Sequence, residues 1–280
     1  IADPVVVDEM IPYARISGVP ELPRESIFHA LNQKAIARRF SKESNKKYED
    51  LNLIVCHMGG GITISAHRKG RVIDTTNALD GCGPFSPERS GSLPPGPLVK
   101  LCFSGKYTEK ELLRLVHGAG GLMAHLGTTS VPEVLQRIDD GDLHAMLILR
   151  AMVYTVAKEI GAMSTALKGD VDAILLTGGM AHSQRITDFV AEHVEFIAPI
   201  YVYPGEDELL TLAENALAAI TGEREVKVYH STEREDPSAI NDRRRPSKLR
   251  DILLAAITPT MRPVPSFSTL RQYLHIRFKR

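Results

Sequence analysis

The chain has 280 residues, and its 34 Lys and Arg balance its 34 Asp and Glu, so the formal net charge is zero. A neutral chain has no global field that favours nucleic acid or a membrane surface, and we expect neither as a partner. Three cysteines without CxxC spacing indicate thiols in a reducing compartment. The sequence also has no apolar run near the ~20 residues of a membrane span and no basic segment of a signal peptide at its start. We therefore expect a cytoplasmic protein.

The first part of the chain predicts one helix followed by a meander of strands. Residues 25–40 place apolar side chains at helical spacing. Three strand-like runs follow, with the sequences LNLIVC, GITISAH and RVIDTTNAL. Consecutive strands joined by short turns favour antiparallel pairing.

The junction between the first two runs is the most informative feature of the sequence. Gly59, Gly60 and Gly61 stand together there, directly after His57 and Met58. Without Cβ atoms, this backbone can approach a ligand closely and direct its N–H groups at phosphate oxygens. The segment predicts a phosphate-binding hairpin, and a plain glycine turn is the alternative.

Residues 81–97 form a segment rich in glycine and proline that contains the sequence PERSG. A loop of this length is usually functional. Arg89 in this loop is either a surface ion-pair former or a guanidinium that stabilises a transferring phosphoryl group.

The second half of the chain alternates helices and strands. Helices are predicted over 109–117, 131–142, 143–167, 183–194 and 207–222, and strands over 171–179 and 196–205. Ser183 is the predicted N-cap of its helix. This alternation indicates an α/β layer fold, whereas the opening meander argues against a purely parallel doubly wound sheet.

Gly178 and Gly179 end the predicted strand over 171–179. A strand–glycine–helix junction offers free N–H groups and the positive end of a helix dipole to an anion. The GxGxxG dinucleotide pattern is absent, so this junction is a weak signal by itself. Together with the glycines at 59–61 it favours a nucleotide, which needs one site for its phosphates and another near its adenosine.

Several polar residues are candidates for the chemistry. His57 is positioned to donate a hydrogen bond to a phosphoryl oxygen, while His29 is equally well explained as a buried core histidine. Hard oxygen donors that suit Mg²⁺ are Asp3, Asp80, Asp207 and Glu208, although each alone is more often a solvated surface residue.

Residues 230–280 differ in composition from the rest of the chain. They contain 11 Lys and Arg against 5 Asp and Glu, with repeated prolines. We expect a basic, poorly ordered tail, and an RNA-binding or membrane-surface segment is the alternative.

The motifs, in their order, resemble the acetate and butyrate kinase family, with the butyrate branch the closer match. The matching stretches are DPVVVDEM, SIFHALNQKA, YEDLNLIVCHMGGGI, HRKGRVIDTTNALDG, GPFSPERSG, LVKLCFSGKY, VAKEIGAM, DAILLTGGMA and YPGEDELL. They extend over residues 1–229, which the resemblance marks as the kinase core. The implied fold is α/β, the C-terminal lobe of the acetate and sugar kinase/Hsp70/actin (ribonuclease H-like) type, with a mixed sheet and flanking helices.

The resemblance also implies roles for individual residues. It assigns Gly59, Gly60 and Gly61 to the phosphates, Gly178 and Gly179 to adenosine, Arg89, His57, Asp3 and His29 to catalysis, and Asp207 and Glu208 to the metal. Glu206 could take the metal role if the alignment slips by one residue. Gln33 stands where acetate kinases have a second histidine, as suits the butyrate branch.

The implied activity is ATP- and Mg²⁺-dependent phosphorylation of a short-chain fatty acid to an acyl phosphate, by an enzyme that is a homo-oligomer when full length. The chain lacks an initial methionine, and nothing in it matches the Asn- and Gly-rich phosphate loop or the second arginine of the family's N-terminal lobe. We therefore expect a fragment that binds ATP weakly and does not turn over alone. The alternative is a non-catalytic ATP-binding lobe of the actin and Hsp70 type.

Overall fold

The computed structural model describes residues 9–79 and 82–206, with short pieces between 212 and 222. All of these residues lie in the first of two units into which the chain divides, Ile1–Tyr229. The predicted tail over 230–280 falls outside the described residues, so its character and the domain division stay predictions.

One mixed sheet of five strands organises the described residues, with strand order β3-β2-β1-β4-β5. The strands are β1 Asn52–Met58, β2 Ile62–Arg68, β3 Arg71–Thr75, β4 Ala173–Gly178 and β5 Ile200–Pro204. The first three pair antiparallel as the predicted meander, and β4 joins β1 in parallel, with β5 parallel to β4. The predicted mixed sheet is confirmed.

Seven α-helices surround the sheet in the described part of the chain. They are α1 Ala30–Glu43, α2 Pro95–Cys102, α3 Glu109–Val116, α4 Gly121–Leu126, α5 Val131–Asp139, α6 Leu143–Ala166 and α7 Gln184–Val194. The predicted helices over 109–117, 131–142, 143–167 and 183–194 are confirmed. The helix predicted over 207–222 lies largely outside the described residues.

Two predictions in the first half needed correction. The helix predicted over 25–40 begins only at Ala30, because the Ile27 carbonyl accepts from the Ala78 N–H at 3.0 Å and holds its segment against the sheet. The loop over 81–97 ends in α2, which starts at Pro95. Proline suits the first turn of a helix, where its missing N–H is not needed.

The core has two layers because β1 is buried on both faces. On one face, Leu53 and Val55 pack against α1. On the other face, Ile54, Cys56 and Met58 pack against a larger cluster supplied chiefly by α5, α6 and α7. The predicted burial of the long helix α6 is confirmed by nine buried residues along its length.

The topology brings three separate parts of the sequence to one edge of the sheet. The strands β1, β4 and β5 run parallel, so their carboxyl ends lie together, and ligands of open α/β sheets bind at such ends. The residues that follow these strands are the glycines at 59–61, Gly179 and Glu206. Within the described residues, no helix is both long enough and apolar enough to cross a membrane.

Candidate active site

The glycine hairpin between β1 and β2 forms the centre of the candidate site. Gly59 N–H donates to the Gly61 carbonyl at 3.0 Å and closes the turn. A Cβ atom at Gly59 would lie 3.0 Å from His57 Nε2 and 3.0 Å from Glu206 Oε1, and a Cβ at Gly61 would lie 2.7 Å from Arg89 Cζ. The hairpin needs glycine because the side chains of His57, Glu206 and Arg89 pack directly on its backbone.

The PERSG loop lies on this hairpin. Ser86 Oγ donates to the Gly60 carbonyl at 2.6 Å and ties the loop to the turn. The Arg89 guanidinium donates from Nη1 to the Ala78 carbonyl at 2.9 Å. Its side chain remains 22% exposed, and Glu88 Oε1 lies 3.9 Å from Nη2, beyond hydrogen-bond distance. Arg89 is therefore held beside the glycines with part of its charge available to an anion.

His57 is fully buried at the end of β1. Its Nδ1–H donates to Asn32 Oδ1 at 2.9 Å. Its Nε2 lies 3.0 Å from Glu206 Oε1. This approach lacks hydrogen-bond geometry, so Nε2 has no hydrogen-bond partner among the described residues. This ring nitrogen lies beside the glycine backbone, and when it carries a proton it can donate to a phosphoryl oxygen.

Glu206 is a site residue that the sequence weighed only as a substitute metal ligand. It follows β5, and its side chain is 43% exposed at the mouth of the hairpin. The His57 ring lowers the pKa of the Glu206 carboxyl, while burial opposes that effect. His57 is 149 positions away along the chain, and the pairing of β1 with β4 and of β4 with β5 brings the two residues together.

His29 lies just before α1, against the His57 ring. The two ring centroids are 3.8 Å apart, and the ring planes are nearly parallel, with an angle of 16° between them. Burial, followed by the His57 charge, lowers the pKa of His29 to about 3, so the ring is neutral at physiological pH. His29 is therefore neither an isolated core histidine nor a cation, and it faces the same site as His57.

A buried polar cluster beneath these histidines was missed by sequence reasoning. Thr63 and Gln33 connect His29 with His67 through hydrogen bonds, and the Tyr48 hydroxyl bonds to the other ring nitrogen of His67. Burial is the main cause that lowers the pKa of His67 to about 3, with Lys34 and Arg38 adding to it. The alternation in GITISAH, which places Thr63, Ser65 and His67 on one face of β2, was the available signal.

Gly178 and Gly179, the second pair of glycines, have different surroundings. Gly178 has φ of 90°, and a Cβ there would lie 2.5 Å from the Met58 carbonyl oxygen. Gly179 opens a short 3-10 helix, Gly179–His182, and a Cβ on it would meet nothing within 4 Å. Gly178 thus permits close packing of β4 on β1, and Gly179 leaves open space beside it. Ser183 stands at the predicted N-cap of α7, although its side chain makes no capping hydrogen bond.

The predicted acidic residues cannot be placed in the same way. Asp3, Asp80, Asp207 and Glu208 lie outside the described residues. Within the described ranges, no group of three or more His, Cys, Asp or Glu residues could hold a metal ion. The Mg²⁺ site therefore stays a prediction.

Comparison with known proteins identifies the family of the chain. The model of the acetokinase family matches residues 21–232. Butyrate kinase 2 of Clostridium acetobutylicum is 58% identical over 229 residues, which cover 82% of this chain and 64% of that relative. A probable butyrate kinase of Bacteroides thetaiotaomicron is 57% identical over 229 residues, covering 82% of this chain and 65% of the relative. The chain thus spans just under two thirds of the length of these relatives.

Solved structures agree on the fold. An acetate kinase of Porphyromonas gingivalis superposes with a TM-score of 0.71 at 20% identity, covering 78% of this chain and 63% of that chain. A propionate kinase of Francisella tularensis gives 0.67 at 21% identity, covering 75% and 61%. The predicted α/β fold with a mixed sheet and flanking helices is confirmed. Since the family model also matches most of the sequence, the chain belongs to the acetokinase family.

Proposed function

We propose that this site transfers a phosphoryl group from ATP to a short-chain fatty acid, butyrate or a branched relative, and forms an acyl phosphate reversibly. The observation that carries the proposal is the packing of the Arg89 guanidinium on Gly61, next to the unpartnered Nε2 of His57. The names of the relatives, butyrate kinases at 57–58% identity, support the substrate class.

ATP fits the two glycine positions. Gly59, Gly60 and Gly61 offer backbone N–H groups and close approach to the phosphates. Gly179, with open space around its Cα, suits the adenosine side. Both lie at the carboxyl edge of the sheet, on β1 and β4, which pair directly.

Mg²⁺ is part of the proposal through Asp207 and Glu208, with Asp3 near the acyl phosphate. In kinases this ion usually binds through one or two carboxylates and the phosphates of the nucleotide, so few protein ligands suffice. When bound, it supplies neutralisation of phosphate charge.

The residues of the chain have distinct tasks in this reaction. The fatty acid is ionised at neutral pH, so it needs no general base, and the site must instead align two anions and offset their repulsion. Arg89 supplies charge to the equatorial oxygens of the transferring group. His57 contacts the transferring phosphoryl group through Nε2. The neutral ring of His29 contributes a hydrogen bond rather than charge. An apolar pocket distinguishes acyl chains by ~1–3 kcal/mol per methylene, so we expect modest selectivity among them.

The test combines nucleotide binding with detection of product. Calorimetric titration of the 280-residue chain with MgATP measures binding, and hydroxylamine traps any butyryl phosphate as the hydroxamate. Arg89→Met is the matched variant, because it keeps most of the side-chain length and removes the charge. Butyrate-dependent hydroxamate that disappears in Arg89→Met supports the proposal.

The other outcomes separate the remaining hypotheses. Binding of MgATP without hydroxamate favours the alternative of an ATP-binding lobe without chemistry, and agrees with the expectation that this chain needs a facing lobe for turnover. Robust turnover would contradict that expectation. Absence of MgATP binding would contradict both functions. Homo-oligomeric assembly, cytoplasmic location and the absence of nucleic-acid and membrane partners stay predictions.

A further inference from the structure

A chain of hydrogen bonds connects α1 with the face of the sheet that it covers. In order, its members are Tyr48, His67, Gln33, Thr63 and His29. The first four are buried, so their donors and acceptors must satisfy one another. Their polar atoms therefore fix where each proton lies.

Gln33 sets the direction of this chain. Its amide nitrogen lies 3.2 Å from the main-chain carbonyl oxygen of Thr63, which can only accept, and 2.9 Å from Thr63 Oγ1. The opposite amide orientation would place two carbonyl oxygens against each other. The nitrogen of Gln33 therefore faces Thr63, and its oxygen faces His67 Nε2 at 3.2 Å.

The proton positions on the histidines follow from this orientation. His67 must donate from Nε2 to Gln33 Oε1, so its Nδ1 accepts from the Tyr48 hydroxyl at 2.7 Å. Thr63 Oγ1 accepts from Gln33, and the proton of this buried hydroxyl still needs an acceptor. Among the described residues, the other side chain within hydrogen-bond distance of this hydroxyl is His29. His29 Nδ1 lies 2.9 Å from that hydroxyl and is its acceptor.

We propose that Gln33 and Thr63 are positioning residues that hold His29 in the tautomer with its proton on Nε2. Among the described residues, the hydrogen bond at Nδ1 is the only one made by the His29 ring, so the Nε2–H is available to a ligand. This inference rests on the proposed function for its catalytic meaning. His29 then presents a neutral donor to the transferring phosphoryl group, beside the stacked ring of His57.

Nitrogen NMR of the histidine rings tests the tautomer directly. In the ¹⁵N-histidine-labelled full chain, long-range ¹H–¹⁵N correlations distinguish a ring protonated on Nε2 from one protonated on Nδ1. We expect the Nε2–H pattern for His29 and His67 at neutral pH. The Nδ1–H pattern for His29 in the unmodified chain would overturn the proposal, and this measurement depends on neither folding of a variant nor turnover.

Matched substitutions at Thr63 test the relay. Thr63→Val is nearly isosteric and removes the donor, whereas Thr63→Ser retains it. We expect Thr63→Ser to keep the His29 pattern and Thr63→Val to give a mixture of tautomers. If Thr63→Val does not fold, as judged by circular dichroism, Gln33→Met takes its place, with loss of the uniform Nε2–H pattern of His67 as the expected result. An unchanged pattern in the folded variants would contradict the role of the relay.

Kinetics add a functional readout where the chain turns over. A lost neutral hydrogen bond is worth about tenfold or less, so Thr63→Val should lower kcat by roughly that factor with little change in KM for ATP, and Thr63→Ser should restore it. Equal kcat for the two variants would overturn the positioning role. If no acyl phosphate forms with any variant, as expected for a chain that needs a facing lobe for turnover, the NMR result alone decides the tautomer, and failure to bind MgATP remains the result that contradicts the proposed function.

Discussion

At the scale of single residues, the site is built from side chains that pack on bare backbone. Arg89 lies against Gly61, and His57 and Glu206 lie against Gly59. These contacts explain why the hairpin has more glycines than a turn requires. They also make the glycines unequal, since a Cβ atom at Gly60 would meet no atom closer than 3.6 Å.

The contact between Gly61 and Arg89 predicts that alanine at Gly61 weakens nucleotide binding, whereas alanine at a glycine without such a contact does not. Gly61→Ala would place Cβ 2.7 Å from Arg89 Cζ and push the guanidinium away from the hairpin. We expect its affinity for MgATP to fall about tenfold, the value of one charge-assisted hydrogen bond. Gly161→Ala is the control, because this residue lies in α6 outside the candidate site and its Cβ would meet nothing within 4 Å. Its affinity for MgATP should change less than about threefold. Equal affinities in calorimetric titration would argue against Arg89 as a phosphate contact.

His67 predicts a pH dependence of stability. Its folded pKa is about 3, while the unfolded value is ~6.5. Between these values the unfolded state binds one more proton, so the free energy of unfolding falls as the pH falls, by ~1.4 kcal/mol per pH unit. Urea unfolding at pH 6.5 and 5.0 should show this loss, and His67→Gln should lose about 1 to 2 kcal/mol less over the same interval. Identical pH dependence would contradict a neutral, buried His67.

At the scale of elements, the junctions of β1, β4 and β5 position the chemistry. Gly178 and Gly205 exchange backbone hydrogen bonds of 3.2 and 3.1 Å, which join the ends of β4 and β5. Gly178 also has the positive φ and the close approach to Met58 that only glycine accommodates.

Alanine substitutions at Gly178 and at Gly179 should therefore have different effects on the free energy of unfolding. Gly178→Ala forces Cβ to 2.5 Å from the Met58 carbonyl oxygen in a left-handed conformation. We expect a loss of about 2 kcal/mol or more. Gly179→Ala meets nothing within 4 Å and should stay within ~0.5 kcal/mol. Urea denaturation of both variants decides; comparable losses would show that the β4–β1 contact relaxes.

The elements show what sequence periodicity predicts and what it leaves out. A continuous apolar run predicted β1, which is buried at every position. A long segment that is apolar on most sides predicted α6, and helical spacing predicted α7. The start of α1 was misplaced because a long-range hydrogen bond, from Ala78 to Ile27, competes with the helix. Helix α2 was not predicted, because the prolines around its start favour a loop.

The site shows the same division. The glycines at 59–61 and Arg89 were predictable because their residue types carry the chemistry. The tautomers of His29 and His67 were not, because they depend on Gln33 and Thr63 from two different elements. The position of Glu206 beside His57 depends on strand pairing, which cannot be deduced from composition.

At the scale of the whole molecule, α6 connects the sheet to the helical layer. Leu149 on this helix is fully buried in the main cluster, whereas Leu147, two residues earlier, is 64% exposed. The predicted α/β class followed from alternating patterns, but the strand order needed pairing between β1 and β4, more than a hundred residues apart in sequence.

The contrast between buried Leu149 and exposed Leu147 gives a test of the core. Leu149→Ala should lower the free energy of unfolding by ~2–5 kcal/mol, because it leaves a cavity in a packed layer. Leu147→Ala, on the same helix, should change it by less than ~0.5 kcal/mol. Chemical denaturation measures both, and a small effect at Leu149 would mean that the layer between α6 and the sheet collapses around the cavity.

The contact between Glu206 and His57 has a consequence for any anion that enters the hairpin. The carboxylate already stands beside the ring nitrogen that a phosphoryl oxygen would use. In the proposed function, nucleotide binding is then an exchange in which one anion displaces another. The measured affinity would then report the difference between two favourable interactions rather than the full strength of either one.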